Sequence, residues 1–299
     1  MKSTILIAGG TGDLGGRIIK ALLRKGADVR AIVRASTDVV RVQKLEQQGV
    51  KVIRANMDDV SALTQTCKGV SCIISALQGL HDVIVDMQSI LLDAAITAGV
   101  PRFIPSDYSC DFTKLLVGEN RNFDLRREFN ECLNKSSIAA TSIFNGAFLD
   151  MLTGQMPLIL FKRKRVLYWG NADQRMDFTT KDDTAAFTAS AALDPSTPRF
   201  LRIAGDQLSA RELVSVANEV TGKKFRLFRG GGLGMLSLLI NVAHTFVPGK
   251  KNIFPAWQGM QYMHNMFDGR AKLEPLDNER YPEIKWTSAK ELLASQYQN

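Results

Sequence analysis

Cysteine and histidine are scarce in this chain. Its four cysteines, Cys67, Cys72, Cys110 and Cys132, include no C-x-x-C pair, and its three histidines, His81, His244 and His264, are scattered. So few thiols exclude a disulfide framework. The apolar run after Lys2 is too short for a secretion signal, so the expectation is a reduced, cytoplasmic protein. The scattered histidines allow no Ser-His-Asp assignment, no metal-ligand spacing occurs, and no metal is predicted. Long apolar runs are also missing. The nearest, Leu233 to Val247, is broken by Ser237, Asn241, His244 and Thr245. It falls short of the ~20 residues a membrane span needs and reads as a buried helix; no membrane partner is expected. Basic residues exceed acidic ones, 38 to 30, for a net charge of +8, yet no Lys/Arg run is longer than Lys162 to Arg165. A dispersed excess suits an anionic small molecule rather than nucleic acid.

What is present is a rhythm. Apolar residues make up 45% of the 299 positions and charged ones 23%, a composition with material for a sizeable core. Short β-branched runs, "STILIAGG", "DVRAIVR", "VKVIRANM", "VSCIISAL", "RFIPS" and "AATSIFNG", alternate with helical patterns. The helices are expected at 16–26, 39–48, 58–67, 83–98 and 122–136. Such alternation predicts an α/β protein with a doubly wound parallel sheet, whose strand ends bind ligands along one edge. After Phe148 the rhythm breaks. "KRKRVLYWGNADQRMDF" reads as a hairpin or extended segment, and Ser209 caps a helix to Thr221. The expected division is a nucleotide-binding domain over 1–150 and a smaller α+β substrate lobe over 151–299, partly returning to the first sheet at about 178–204.

The strongest local signal is "AGGTGDLGGR". Gly9, Gly12 and Gly15 lie between a strand and a helix. Glycines there let the backbone approach a pyrophosphate, and the helix N-terminus supplies amides and a positive dipole end. Thr11, Asp13 and Leu14 complete this candidate site, with Ser75, Ala76, Pro105 and Ser106 at the next strand ends. An NAD enzyme usually keeps an acid roughly 20 residues beyond the glycines. Here "IVRAS" supplies Arg34 instead. Arg34, with Ser36 and Lys44, would meet a 2′-phosphate, so NADP(H) is expected over NAD(H).

The usual Tyr-x-x-x-Lys catalyst of short-chain dehydrogenases is absent from the fifth helix. Its one literal match, Tyr281 with Lys285, is interrupted by Pro282. The chain nevertheless resembles the NmrA-like and isoflavone-reductase-like family of atypical short-chain dehydrogenases/reductases. The residues that carry the resemblance are "AGGTGDLGG", Arg34, "AAITAGVPRFIPSDYS", "TSIFNGAF" and "GDQLSARELVSVANEVTGKK". It implies a Rossmann sheet that binds NADP and a smaller lobe that closes over a substrate, often an aromatic one. It also implies a lysine on the fifth helix, and the matching position here is Arg126.

Arginine is a poor proton donor, though it can stabilise an oxyanion by charge. At about 100° per residue, Leu125, Phe129, Cys132 and Leu133 share one face of that helix. Arg126 then flanks the face and is placed to reach the cleft, while Arg127 is expected in solvent. Lys114 and Tyr108, on the loop after the fifth strand, are further catalytic candidates. Asp107, Asn145 and Phe148 are candidate substrate contacts. The tail residues Trp257, Met260, Met263, His264 and Phe267 read as core. The reading is an NADPH-dependent reductase of a small aromatic or conjugated carbonyl-type substrate. The alternative is an NmrA-like NADP(H)-binding redox sensor that acts through a protein partner.

Overall fold

The computed structural model describes residues 3–152, 154, 156, 158–246, 249 and 251–297. Two compact units interleave along the chain. The first comprises 1–108, 125–143 and 184–201; the second comprises 109–124, 144–183 and 202–299. Each unit is assembled from three segments, and 184–201, from the second half of the chain, belongs to the first unit.

The first unit holds the predicted parallel sheet. Its strands are β1 (Thr4–Ala8), β2 (Asp28–Val33), β3 (Lys51–Arg54), β4 (Cys72–Ser75), β5 (Arg102–Ile104) and β6 (Ala139–Ala140), in the order β3-β2-β1-β4-β5-β6. Every pairing is parallel. This order reverses direction beside β1, which puts a ligand crevice at the carboxyl ends of β1 and β4. Helices α1 (Asp13–Arg24), α2 (Val39–Glu46), α3 (Val60–Cys67), α4 (Gln88–Thr97) and α5 (Arg121–Asn134) supply the crossovers. The central strands are buried on both faces because crossover helices cover both. On one face Leu6, Ile73 and Phe103 pack with Leu63, Leu91, Phe129 and Leu133.

Two elements differ from expectation. The fourth helix is not one α-helix, because a π-helical segment, Asp82–Met87, precedes α4. A π-turn adds a residue to the helical ring and re-aims the next turn, often near functional sites. The sixth strand also divides. Thr141 N–H still donates to Phe103 O, but Ser142 N–H donates to Arg199 O at 2.8 Å. The Ser142 hydroxyl is drawn to Asp107, 2.6 Å away, so the chain leaves the sheet there.

The second unit contains two three-stranded sheets. One orders Arg226–Gly231, Arg165–Trp169 and Ile159–Leu160; the other orders Asp206–Leu208, Met176–Thr179 and Ala147–Phe148. Of the two readings of 162–178, hairpin or extended segment, the structure has the extended one: two strands in separate sheets, parted at Gly170, whose φ is +65°. Leu158, Val166, Phe178, Leu213 and Phe267 form this unit's core. Met260 and Met263 pack against it, so the Met-rich stripe is core as read. The helix Leu233–Phe246 is not buried as expected, since only Leu236 and Ile240 are enclosed; Val247 lies outside the described residues. Among the described residues no helix is long and apolar enough to cross a membrane. None of the four cysteines forms a disulfide.

Candidate functional site

The glycine turn joins β1 to α1. Gly9 has φ +86°, and a Cβ there would lie 2.5 Å from Ala76 O at the end of β4. A Cβ on Gly15 would lie 2.2 Å from Gly9 O. Both positions exclude any side chain without movement of the backbone. Gly12 N–H donates to Gly9 O at 3.0 Å and closes the turn. Gly12 is the N-cap of α1, and no side chain caps the helix. Its first-turn amides, which have no partner one turn earlier, face the turn with the positive end of the helix dipole. Thr11 and Leu14 are half-buried beside them. The Asp13 carboxylate accepts from Arg17 Nε at 2.8 Å.

At the end of β2, Arg34 and Ser36 are exposed, as is Lys44 on α2. The nearest acid in sequence, Asp38, is the N-cap of α2 and accepts from Arg41 N–H. Arg54, at the end of β3, donates to Ala35 O at 2.8 Å and to Thr37 O at 3.0 Å, and so braces this loop. Sequence reasoning missed Arg54; its place beside β2 was readable only from the strand order.

Beyond β4 and β5 the strand ends are tied together. Ser75 is fully buried and its hydroxyl has no partner. Ser106 Oγ donates to Leu77 O at 2.7 Å, and Ser106 N–H donates to Gln88 Oε1 at 3.2 Å. Arg126 Nε donates to Ser106 O at 3.0 Å. The predicted cation and the predicted strand end thus meet within one unit. The remainder of the α5 phase needs two corrections. Arg127 is half-buried and engaged rather than solvated, and Cys132 is exposed rather than part of the apolar face. Asn122, Phe123, Phe129, Asn130 and Leu133 are the buried positions, so the inward face carries two amides that hydropathy alone discounts.

Asp107 is turned inward. It is 1% exposed and accepts from Asn130 Nδ2 at 2.9 Å and Ser142 Oγ at 2.6 Å. Arg199 Nη1 donates to Ser142 Oγ at 2.7 Å, and Arg199 Nη2 donates to Asn130 Oδ1. Burial pushes the Asp107 carboxyl above the usual range; the hydrogen bonds from Asn130 and Ser142 and the charges of Arg126 and Arg199 oppose this. Burial likewise lowers Arg199, with the Asp107 charge opposing. Asn130 also donates to Arg126 O at 2.8 Å, so this network fixes the turn of α5 that bears Arg126. Asn130, Ser142 and Arg199 carried no sequence signal, because only the tertiary fold gathers them. Tyr108 is buried, which pushes its phenol upward and keeps it neutral.

His81, just before the π-turn, bridges to α5. Its Nδ1 lies 3.1 Å from Asp86 and its Nε2 lies 3.0 Å from Glu128. The hydrogen bonds to Glu128 and then Asp86 raise its pKa.

Three predicted residues belong to the second unit. Lys114 Nζ donates to Lys272 O at 2.7 Å and lies 3.9 Å from the buried Asp111, which also accepts from Arg202 Nε at 2.8 Å. Asn145 has no exposure, and neither atom of its side-chain amide has a partner. Phe148 is half-buried, with Lys181 Nζ 6.0 Å from its ring centre. Among the described residues no cluster of His, Cys, Asp and Glu could hold a metal.

Comparison with known proteins extends this geometry. A model of the NmrA-like family matches residues 1–291. The chain is similar to pinoresinol reductase 1 of Arabidopsis thaliana, 24% identical over 216 residues that cover 69% of this chain and 66% of that protein. It is also similar to the bifunctional pinoresinol-lariciresinol reductase of Linum album, 28% identical over 230 residues covering 71% and 67%. These matches span about two thirds of the relatives' length. Among solved structures, AtPrR2 with NADP+ and (+)-pinoresinol superimposes with a TM-score of 0.83 at 22% identity, over 99% of both chains. At that identity the likeness establishes the fold.

Proposed function

The chain belongs to the NmrA-like family, and from that premise we propose that it is an NADPH-dependent reductase of a small aromatic or conjugated carbonyl-type substrate. The observation that carries the reading is the uncapped α1 N-terminus behind glycines that admit no Cβ. That cradle suits a pyrophosphate, and the partnerless hydroxyl of Ser75 at the adjacent strand end suits a bound polar group. The proposed cofactor contacts are Gly9, Thr11, Gly12, Asp13, Leu14 and Gly15 for the pyrophosphate side. Arg34, Ser36 and Lys44 are proposed for the 2′-phosphate, and Ser75, Ala76, Pro105 and Ser106 for the strand ends. When bound, NADPH supplies the hydride.

In this reading Arg126 holds negative charge on a substrate oxygen. Its Nε is committed to Ser106 O, which orients the rest of the guanidinium. Asp107 acts through Arg126 and Asn130 as a positioning residue. Asn145 and Phe148 are the proposed substrate contacts, and the partnerless amide of Asn145 supports a polar one. The relatives named above are reductases of pinoresinol and lariciresinol, both aromatic compounds, which supports the substrate class.

A second reading rests on one observation: both candidate cations, Arg126 and Lys114, already bond a backbone carbonyl. Under it the protein is an NADP(H)-binding regulator without turnover. The test is cofactor oxidation by purified protein with NADPH across lignans, enones and quinones. Turnover that Arg126→Ala lowers by on the order of a hundredfold or more, with NADPH affinity retained, supports the reductase. Tight NADPH binding with no turnover across the panel overturns it in favour of the regulator. Loss on Lys114→Ala alone moves the charge to that lysine.

A further inference from the structure

The helix Leu233–Phe246 turns a row of large apolar side chains to solvent. Leu236 and Ile240 are its buried residues, and the His244 ring meets Trp257 edge-on at 4.7 Å. Met235, Leu238, Leu239, Val242 and Phe246 are 53%, 62%, 37%, 47% and 77% exposed. At about 100° per residue these five fall within an arc of roughly 100°, the width of stripe by which a helix ordinarily reaches a core. Phe254 and Phe228, in the same unit, are also exposed. Single exposed apolar residues need no explanation, but a continuous stripe marks an interaction surface.

The charge in the sequence on either side of the helix has one sign. Between Glu219 and Asp268 the sequence contains no acidic residue, while Lys223, Lys224, Arg226, Arg229, Lys250 and Lys251 occur there. Lys223, Lys224, Arg226, Arg229 and Lys251 are exposed. The strand Arg226–Gly231 runs through Gly232 directly into the helix, so cations stand at its start, and Lys251 stands beyond its end.

We propose that this face docks on the surface of an anionic lipid bilayer, with the helix lying along the interface. Its 14 residues extend about 21 Å, short of the ~30 Å hydrocarbon layer, so it would lie on the membrane rather than span it. Leucine, valine, methionine and phenylalanine in one stripe, with cations at the margins, match acyl chains beneath phosphate headgroups. A second copy is the poorer occupant, because pairing the same face brings like charges together. No hydrogen-bonding side chain falls within the arc itself; the exposed Asn241 and Thr245 lie to one side of it.

The test sediments the full chain with vesicles of phosphatidylcholine alone and of phosphatidylcholine with about one third phosphatidylglycerol. Binding to the anionic vesicles, weakening as salt rises, is expected. The pair Leu238→Ser with Phe246→Ser should weaken it by about tenfold or more. Arg229→Glu or Lys251→Glu should each weaken it about fivefold or more. Should the double substitution disturb the circular dichroism spectrum, Val242→Thr, a change of similar size on the same stripe, carries the test. No binding to anionic vesicles overturns the proposal, as does binding that the apolar substitutions leave untouched. Self-association of the free protein abolished by the same substitutions, without vesicle binding, assigns the face to a second copy.

Discussion

Helix α1 begins at Gly12, an N-cap with no side chain to close it, whereas the helix Ala210–Thr221 begins at Ser209 inside a complete capping box. There Ser209 Oγ accepts from Glu212 N–H, and Glu212 returns to accept from Ser209 N–H. Both helices are amphipathic and twelve residues long, so the difference lies in what closes the end. A capped end satisfies its own donors and serves only the fold. An uncapped end, lined by glycines that hold side chains away, leaves donors and dipole for an anion. Helix α2 falls on the capped side of the comparison, because the Asp38 carboxylate accepts from Arg41 N–H.

The most severe break of this comparison is Gly15→Ala. Its Cβ would lie 2.2 Å from Gly9 O, so the turn must shift away from the helix end. NADPH affinity, followed by fluorescence titration, should fall on the order of a hundredfold, roughly 3 kcal/mol. Unchanged affinity would remove α1 as the anion grip. Next in size, Arg34→Ala should weaken NADPH by about thirtyfold, the loss of one charge-assisted contact, and leave NADH nearly unaffected. Equal losses for the two cofactors would overturn the 2′-phosphate assignment.

Ser209→Ala sharpens the capped side. It should cost about 1 kcal/mol of stability in urea unfolding and leave NADPH affinity unchanged. A loss of affinity there would erase the distinction between the two ends. The smallest effect belongs to the π-turn, which has no side-chain cap either but is braced by His81. Because Glu128 and Asp86 raise its folded pKa above the ordinary 6.5, the brace is fully present below that value. It is lost as pH rises through the raised pKa. A His81→Gln variant should therefore melt below the parent protein in mild acid and converge with it in alkali; a gap that widens with pH would contradict the pairing.

How far the site could be read before folding depended on the range of the interaction. Gly9 and Gly15 were legible because a tight turn is a local demand, met by residues adjacent in sequence. Arg34 was legible because strand ends and helix starts punctuate the chain. Helical phase put Arg126 beside the apolar face of α5, where its Nε meets Ser106 O, but it misjudged Arg127 and Cys132. The reason is that Asn122 and Asn130 are buried against polar partners, so burial on this helix does not follow hydropathy. Asp107 looked like a substrate contact in "PSDYS", yet its carboxylate is enclosed by Asn130 and Ser142. Likewise, the apolar content of Leu233–Phe246 suggested burial, and the fold left one face uncovered.

The alternation of β-branched runs with helical periods determined the parallel sheet, and the glycine spacing determined where its first helix opens. Both obey rules of backbone geometry that act over a few residues. Tertiary structure alone decided which side chains surround Arg126, that Lys114 is held by Lys272 O, and which face of the largely apolar helix Leu233–Phe246 meets solvent. Those outcomes depend on residues distant in the chain: Asn130 and Ser142, for example, donate to Asp107 while accepting from Arg199.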